Sequence, residues 1–473
     1  MENYNNINSN RNVNSIVGLY GFGKITLLLL LTISFGIIAD GIEMTLMGLF
    51  VIPITKYYSL NEFEIQVISS ILFLGVALGS YISSYMVHFL FRKKTLHYGY
   101  ILLLSSHIIL SFSFHYYIFA FARFFIGVAL GIIIPVSLNL LSEFLPGSSR
   151  ALVLTGIWAF FSLGQGLQAS IMLVGMPNLE TSNMKYVLFS LTVFILIAFV
   201  LNDKFGIESP KHLILNEQYE EGFKVLNEML KTKNEEELTY DEKEAIINEI
   251  KSLSNNNPSN NKVDIENLFA EHMYTTTLFT ILLMFILSFL FYGILLISTL
   301  TMRKLNIYET NNTNYSQIIA NQIIVAFCSM PGNIIGGVLC EIKKMGRRKT
   351  ICLGFIISTI CSFSIIIFRS QYTILYSMYL FFVNISFNVC LTYVVEIYPT
   401  QLRDTSSGFL FACLRISGFF SQYLYLALHI WHYMLPYYFS GIISALAIVI
   451  TINLPYEPGE QEFDGEFESI KNK

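Results

Sequence analysis

The sequence predicts an all-α membrane protein: twelve transmembrane helices arranged as two pseudo-symmetric six-helix bundles. Three observations carry this prediction. Hydrophobic residues make up 54% of the 473 residues and charged residues only 13%, about half the roughly 25% charge of a soluble domain. The apolar residues fall in blocks of about 20 or more, the length a helix needs to cross hydrocarbon. Two short motifs recur in the two halves of the chain at nearly the same spacing.

Residues 1–15 are polar and Asn-rich, and 1–24 read as one tail. The apolar run that follows from Ile25 is too long for a signal peptide and lacks a cleavage site. A disordered cytosolic tail is therefore expected, leading into an uncleaved first span. The spans read as 25–52, 65–91, 95–114, 117–144, 150–174 and 185–202 in a first bundle (25–202), then 274–301, 316–340, 350–368, 372–397, 405–428 and 433–453 in a second (273–453). Between the bundles, 203–272 reads as a cytosolic linker. It contains a short amphipathic helix with Phe223, Leu226 and Leu230 at helical spacing, and an Asn/Ser-rich stretch at 252–262. Residues 454–473 read as an acidic cytosolic tail.

Basic residues orient the chain. Arg92, Lys93, Lys94, Arg150, Lys343, Lys344, Arg347, Arg348, Lys349 and Arg403 fall in alternate loops on one side, which an even number of spans also gives to both termini. That side is expected to be cytosolic. Sequons at Asn311 and Asn314 fall on the other side. The membrane is either the plasma membrane or that of an internal vesicle or organelle. Net charge is −4, which gives no basis for nucleic-acid binding. The six cysteines (328, 340, 352, 361, 390 and 413) all fall in spans of the second half and are expected as free thiols. No spacing suggests a metal site, and no nucleophile–base pair or phosphate loop suggests an enzyme or an ATP-driven pump. No cofactor is expected.

The repeat is specific. Glu143-Phe-Leu-Pro146-Gly-Ser-Ser-Arg150 ends span 4, and Glu396-Ile-Tyr-Pro399-Thr-Gln-Leu-Arg403 ends span 10, an offset of 253 residues (396 − 143). The basic turns at Arg92 and Arg347 are offset by 255 (347 − 92). Duplicated halves of this kind place a substrate near the midplane between them. A basic turn that pairs with a carboxylate at a neighbouring helix end can act as a gate. The gating set is Arg92, Lys93, Glu143, Arg150, Glu341, Arg347, Arg348, Glu396 and Arg403. Anchoring by positive residues alone would explain any single cluster, but not the shared spacing.

These motifs resemble the major facilitator superfamily over essentially the full chain. The pattern is similar to its branch of synaptic-vesicle-related proteins, organic ion transporters and sugar porters. The residues that carry the resemblance are Arg123-Phe-Phe-Ile-Gly127-Val-Ala-Leu-Gly131, Glu208-Ser209-Pro210-Lys211-His212-Leu213, Gly346-Arg347-Arg348-Lys349, Val395-Glu396-Ile397-Tyr398-Pro399-Thr400, and Ala39-Asp40-Gly41-Ile42-Glu43-Met44. The family's first-loop pattern, G-x-x-x-D-R-x-G-R-R, is degraded here: Ser84, His88 and Phe91 stand where it has Gly, Asp and Gly. In the second half Glu341 stands five residues before Gly346, where the family has an Asp three before. No Gln-Leu-Ser sugar determinant is present.

The resemblance implies secondary transport by alternating access, and the buried charges suggest the cargo. Charge inside hydrocarbon is costly and marks function. Asp40 lies deep in span 1, with Glu43 three residues on, on the same face. Arg123 lies about six residues into span 4, roughly 9 Å, and Arg415 near mid-depth in span 11. An Asp40/Glu43–Arg123 cluster is expected. Either carboxylate can carry a coupled proton, and either arginine can hold a substrate carboxylate through two hydrogen bonds. A purely structural ion pair is the competing reading. Gln165, Gln168, Asn139, Tyr292, Asn321, Gln322, Asn384, Ser386 and Asn388 are candidate cavity residues or interhelical packing contacts. His107 reads as a packing histidine. The expected partners are a small organic ion, a niacin- or pantothenate-like carboxylate first, together with protons and the lipid bilayer, for a monomer. The alternatives are an organic cation or sugar transporter, or a non-transporting receptor or vesicle protein on the same fold.

Overall fold

The computed structural model describes residues 13–179, 181–255, 268–269, 273–310, 314–342, 344–398 and 403–454. Eleven helices among them are long and apolar enough to cross a membrane. They are spans 1 (Lys24–Tyr58), 2 (Glu62–Val87), 4 (Tyr116–Glu143), 5 (Arg150–Gly175), 6 (Thr181–Phe205), 7 (Tyr274–Leu305), 8 (Tyr315–Glu341), 9 (Gly346–Ile367), 10 (Arg369–Ile397), 11 (Thr405–Trp431) and 12 (Leu435–Ile452). Span 3 (92–111) continues the helix that begins at Glu62. It is more polar than the rest because it contains Lys93, Lys94, His97 and His107, but with it the described spans number twelve.

The loop expected around Arg92 is reduced to a single residue. Phe91 has φ 63° and ψ 165° inside an otherwise continuous helix, Glu62–Ser111, in a region that glycine alone adopts without strain. Its counterpart 255 residues on (346 − 91) is Gly346, with φ 67°. Both basic turns thus carry a residue at positive φ, and only the second supplies the glycine that suits it. Other spans carry local irregularities. Span 5 is interrupted at Ile157–Trp158, between helices Arg150–Gly156 and Ala159–Gly175. Span 7 widens into a π-helical turn at Phe289–Gly293, a feature that recurs at functional sites.

Spans 2 and 4 pack backbone against backbone. A Cβ added at Gly127 or Gly131 would lie 2.2 Å from the carbonyl oxygen of Leu72 or Val76. One at Gly75 or Gly79 would lie 2.1 Å from that of Phe124 or Val128. This reciprocal pair of small-xxx-small faces supplies the close packing that helices in lipid need.

The first 24 residues are not uniformly unstructured. Val13–Tyr20 is a helix, and Val13, Ile16, Val17 and Tyr20 bury the side that packs on linker helix Tyr219–Thr232. Their i, i+3, i+4, i+7 spacing is the physical reason. Linker helix Tyr219–Thr232 buries Phe223, Leu226 and Leu230 as their spacing implies. Residues 1–12, 256–267 and 455–473 lie outside the described residues, as do Asn311–Thr313 of the first sequon and the Pro399–Leu402 part of the repeat. Asn314 caps span 8 by accepting from the Gln317 backbone N–H at 3.3 Å.

Candidate functional site

Span 1 carries two buried carboxylates that face different partners. Three residues turn a helix by about 300°, so Asp40 and Glu43 diverge by about 60°. That divergence is enough for them to meet different neighbouring spans. Asp40 faces span 11, with its Oδ2 4.0 Å from Arg415 Nη2. Neither Asp40 oxygen has a hydrogen-bond partner among the described residues. Arg415 Nη1 donates to the Tyr292 hydroxyl and lies 3.6 Å from Met44 Sδ. Its guanidinium sits 4.9 Å from the Tyr292 ring centre, a cation–π distance. Tyr292 reaches it from the widened turn of span 7, whose backbone carbonyl accepts from Gln422 at 3.1 Å.

Glu43 faces back into the first half. Its Oε2 accepts from Arg123 Nη1 at 3.1 Å, and the same Nη1 donates to the Glu43 backbone carbonyl at 3.1 Å. His107 Nδ1 lies against Oε1, and His107 Nε2 lies 3.1 Å from the Leu188 carbonyl of span 6. The single Asp40/Glu43–Arg123 cluster expected from the sequence is thus two sites. Glu43, Arg123 and His107 form one, and Asp40, Arg415 and Tyr292 the other. His107 is no mere packing residue, since it touches Glu43. A histidine in the middle of an apolar span was the available signal.

A cavity of about 30 Å³ lies between the halves, lined by Thr45, Gln165, Gln168, Thr299 and Gln322 and by apolar residues. It has room for about two water molecules, not for an organic ion. Thr45 lies five residues beyond Asp40 on span 1, about 7.5 Å along the axis, and none of Asp40, Arg415 and Tyr292 lines this cavity. Thr45 Oγ1 donates to Gln168 Oε1 at 3.2 Å. The Nε2 groups of Gln165 and Gln168 have no acceptor among the described residues. Gln322 donates to Ser298 and Thr299 at 3.0 and 3.2 Å. Asn388 is placed elsewhere: it donates to Asn333 at 2.5 Å, and Asn333 donates to the Trp158 carbonyl at 3.1 Å across the seam between halves. Asn384 is buried one turn away on span 10.

On the basic face the two halves carry matching ion pairs. Arg92 meets Glu143 at 2.6 Å, and Arg347 meets Glu396 through two nitrogens at 3.0 and 3.4 Å. Both pairs lie within one half, so each braces its own bundle. Contacts between halves on this face are Leu152 N–H to Glu341 at 3.4 Å, Asn139 to Ser407 at 2.8 Å, and Thr155 with Thr392 at 2.9 Å. The acid missing from the first-loop pattern has replacements. Glu208 accepts the Lys93 backbone N–H at 2.8 Å, and Ser209 donates to Glu143. Both come from the Glu208–Leu213 motif, which was read from the sequence for resemblance and not for contact. Arg150 Nη2 reaches the Leu145 carbonyl at 3.5 Å, and Arg348 Nη2 the Ile452 carbonyl at 2.6 Å. The Arg403 side chain lies outside the described residues.

On the opposite face, the Tyr315 ring of span 8 lies between Lys56 of span 1, at 5.8 Å, and Arg303 of span 7, at 5.9 Å. Ser316 donates to the Pro177 carbonyl at 3.1 Å. The halves therefore touch at both faces around the small cavity.

Known proteins share this architecture. The solved proton:xylose symporter XylE, bound to 6-bromo-6-deoxy-D-glucose, superposes with a TM-score of 0.75 at 16% identity, over 94% of this chain and 98% of that one. The putative transporter svop-1 of Caenorhabditis elegans is 22% identical over 96% of this chain and 86% of its own. Organic cation/carnitine transporter 7 of Arabidopsis thaliana is 22% identical over 84% of each chain. A shorter match, 30% identical over 146 residues, spans 26% of an uncharacterized MFS-type transporter of Schizosaccharomyces pombe. The family model of the Major Facilitator Superfamily matches residues 33–422 and 279–472. With twelve spans, a repeated basic turn and these matches, the chain belongs to the Major Facilitator Superfamily and is a multi-pass membrane transporter.

Proposed function

We propose that this protein carries a small organic ion, a carboxylate, together with a proton by alternating access. The observation behind this reading is the Asp40–Arg415 pair, 4.0 Å apart and joining span 1 of the first half to span 11 of the second. A buried guanidinium needs an anion beside it. When a substrate carboxylate takes Arg415 through two hydrogen bonds, Asp40 becomes a buried charge without compensation unless it takes up a proton. Anion and proton then bind as a unit, and a monoanion moves without net charge. Glu43 and Arg123 face each other and stay outside this exchange. The open amide N–H groups of Gln165 and Gln168 suit the acceptor oxygens of such a substrate.

The cavity must widen to admit an organic ion, so the contacts between the halves must part on one face at a time. The basic face is proposed as cytosolic, with Glu341 and the braced turns at Arg92 and Arg347 forming its gate. A second reading reverses the roles at Asp40. An organic amine would pair with Asp40 and displace Arg415. The similarity to an organic cation/carnitine transporter favours it.

The test is a ligand-induced thermal-shift screen of nicotinate, pantothenate, gallate and a matched set of amines. Ligands that stabilise the protein are then taken into proteoliposomes, with and without an inward proton gradient. Stabilisation by acids and their gradient-driven accumulation is expected. Stabilisation by amines alone would overturn the carboxylate reading.

A further inference from the structure

On the basic face Arg92 and Arg347 meet carboxylates. On the opposite face the cations meet rings. Lys56 Nζ lies 5.8 Å from the Tyr315 ring centre, and the Arg303 guanidinium lies 5.9 Å from the same centre. Lys185 lies 3.8 Å from the Phe114 ring centre, and Arg369 donates to the Tyr433 hydroxyl at 3.0 Å. Among the described residues none of these four cations makes an ion pair. A ring attracts a cation through its quadrupole and leaves the net charge in place, whereas a carboxylate cancels it. Arg303 also keeps a buried donor open, since its Nε has no acceptor among the described residues. Glu64, a carboxylate of this face, accepts instead from the Asn61 backbone N–H at 2.9 Å.

Helix geometry sets three of these residues over the cavity between the halves. Lys56 lies seven residues beyond Leu49 on span 1, Arg303 four beyond Thr299 on span 7, and Tyr315 seven before Gln322 on span 8. Leu49, Thr299 and Gln322 line the cavity. Steps of four and seven residues keep to one helix face and rise about 6 and 10 Å. We infer that Lys56 and Arg303 form an anion site at this mouth of the cavity, one that takes a carboxylate, and that its occupation opens the mouth. The physical reason is a competition. Lys56 is exposed and Arg303 half-buried. A cation–ring contact is weak at such positions, and a charge-assisted hydrogen bond to a carboxylate is stronger. An arriving anion draws Lys56 of the first half and Arg303 of the second off the Tyr315 ring. The ring then no longer bridges spans 1 and 7, and the anion passes into the cavity. An amine meets repulsion at the same place. Onward passage and selection of the cargo by sign rest on the carboxylate reading above; the anion site itself is read separately.

A cysteine introduced at Gln322, in a background lacking Cys328, Cys352 and Cys413, which are not buried, reads the potential at the mouth in detergent. Two methanethiosulfonate reagents are compared, the anionic ethylsulfonate and the cationic ethyltrimethylammonium, each normalised to its rate with a free thiol. The anionic reagent should react faster. Lys56→Gln and Arg303→Gln should each lower the ratio of the two rates by about fivefold at low ionic strength and about twofold at about 0.15 M salt. The second readout is labelling of the same cysteine by a neutral maleimide at constant ionic strength. Benzoate should raise it by about fivefold, the contribution of two exposed cation–ring contacts at the low end of their range, and benzamide should not. The rise should vanish in Lys56→Gln, in Arg303→Gln and in Tyr315→Ala, where the ring is already gone. A ratio at or below one with both cations present overturns the inference and needs neither cation substituted. A benzoate effect that survives the loss of Lys56 or Arg303 overturns it too. Stabilisation by amines alone in the thermal-shift screen would remove the carboxylate cargo and leave these rates as they are, so the two failures are distinguishable.

Discussion

Replacing Asp40 by Asn tests the competition at Arg415 directly. Two unit charges 4.0 Å apart attract by about 4 kcal/mol at an effective dielectric constant of about 20. That is the upper limit of what Asp40 withholds from an incoming anion, close to a thousandfold in affinity at about 1.4 kcal/mol per tenfold. Relaxation and entering water reduce it, so Asp40→Asn should bind a carboxylate about 10- to 100-fold tighter at a pH where Asp40 is charged. The sign with pH follows from linkage. In the wild type, binding takes up a proton, so anion affinity falls by up to about tenfold per pH unit once Asp40 is ionised. The variant has no such group, and its affinity should be flat. In proteoliposomes it should exchange labelled substrate for unlabelled but not concentrate it on a proton gradient. Full gradient-driven accumulation by Asp40→Asn, or weaker anion binding with an unchanged pH profile, would refute the reasoning.

Three further outcomes are expected. Gly127→Leu places a side chain 2.2 Å from the Leu72 carbonyl, so spans 2 and 4 must part. Monodisperse protein should be lost on size exclusion, whereas Gly147→Ala, with nothing within 4 Å, should behave as wild type. Arg92→Ala removes the cation beside Glu143 in a site where both side chains are 2% exposed, and breaking such a pair costs about 3–5 kcal/mol. Arg347→Ala should lower the melting temperature less, because its pair is 14% and 8% exposed, and a double-mutant cycle with each glutamate measures the difference. Tyr315→Ala removes the ring between Lys56 and Arg303. It should raise maleimide labelling of a cysteine introduced at Gln322, in a background lacking the exposed Cys328, and unchanged labelling would remove Tyr315 from the closure of that face.

The fold was legible because its signals are local or periodic. Apolar blocks of membrane length, basic residues in alternate turns and E-x-x-P-x-x-x-R at a constant offset need no knowledge of contacts. Span 3 shows the limit of hydropathy. Its lysines and histidines dilute the apolar signal, although the segment is helical within the bundle. The helix Val13–Tyr20 was missed for a related reason. Eight residues amid Asn and Gly are too short to stand out, and they gain their stability by burying one face on the linker.

The candidate site was legible in its residue types and not in its pairing. Asp40, Glu43, Arg123 and Arg415 stand out because charge in hydrocarbon is rare. Their division into two clusters depends on about 60° of helix rotation and on which span faces each side. Spacing along span 1 cannot supply the second of these. Glu208 and Ser209 lie 65 and 66 residues beyond Glu143 (208 − 143 and 209 − 143), and only the fold brings them to the Arg92 turn.

The sequence by itself determined the twelve-span plan, the duplication and the family, because each is written in residues close together or repeated at fixed distance. The tertiary structure decided which buried charges meet, that the basic turns brace their own bundles, and that Phe91 and Gly346 both take a positive φ. It also brought His107 to Glu43. Each of these depends on the approach of helices distant in sequence, set by side-chain packing and by glycine seams such as the one between spans 2 and 4.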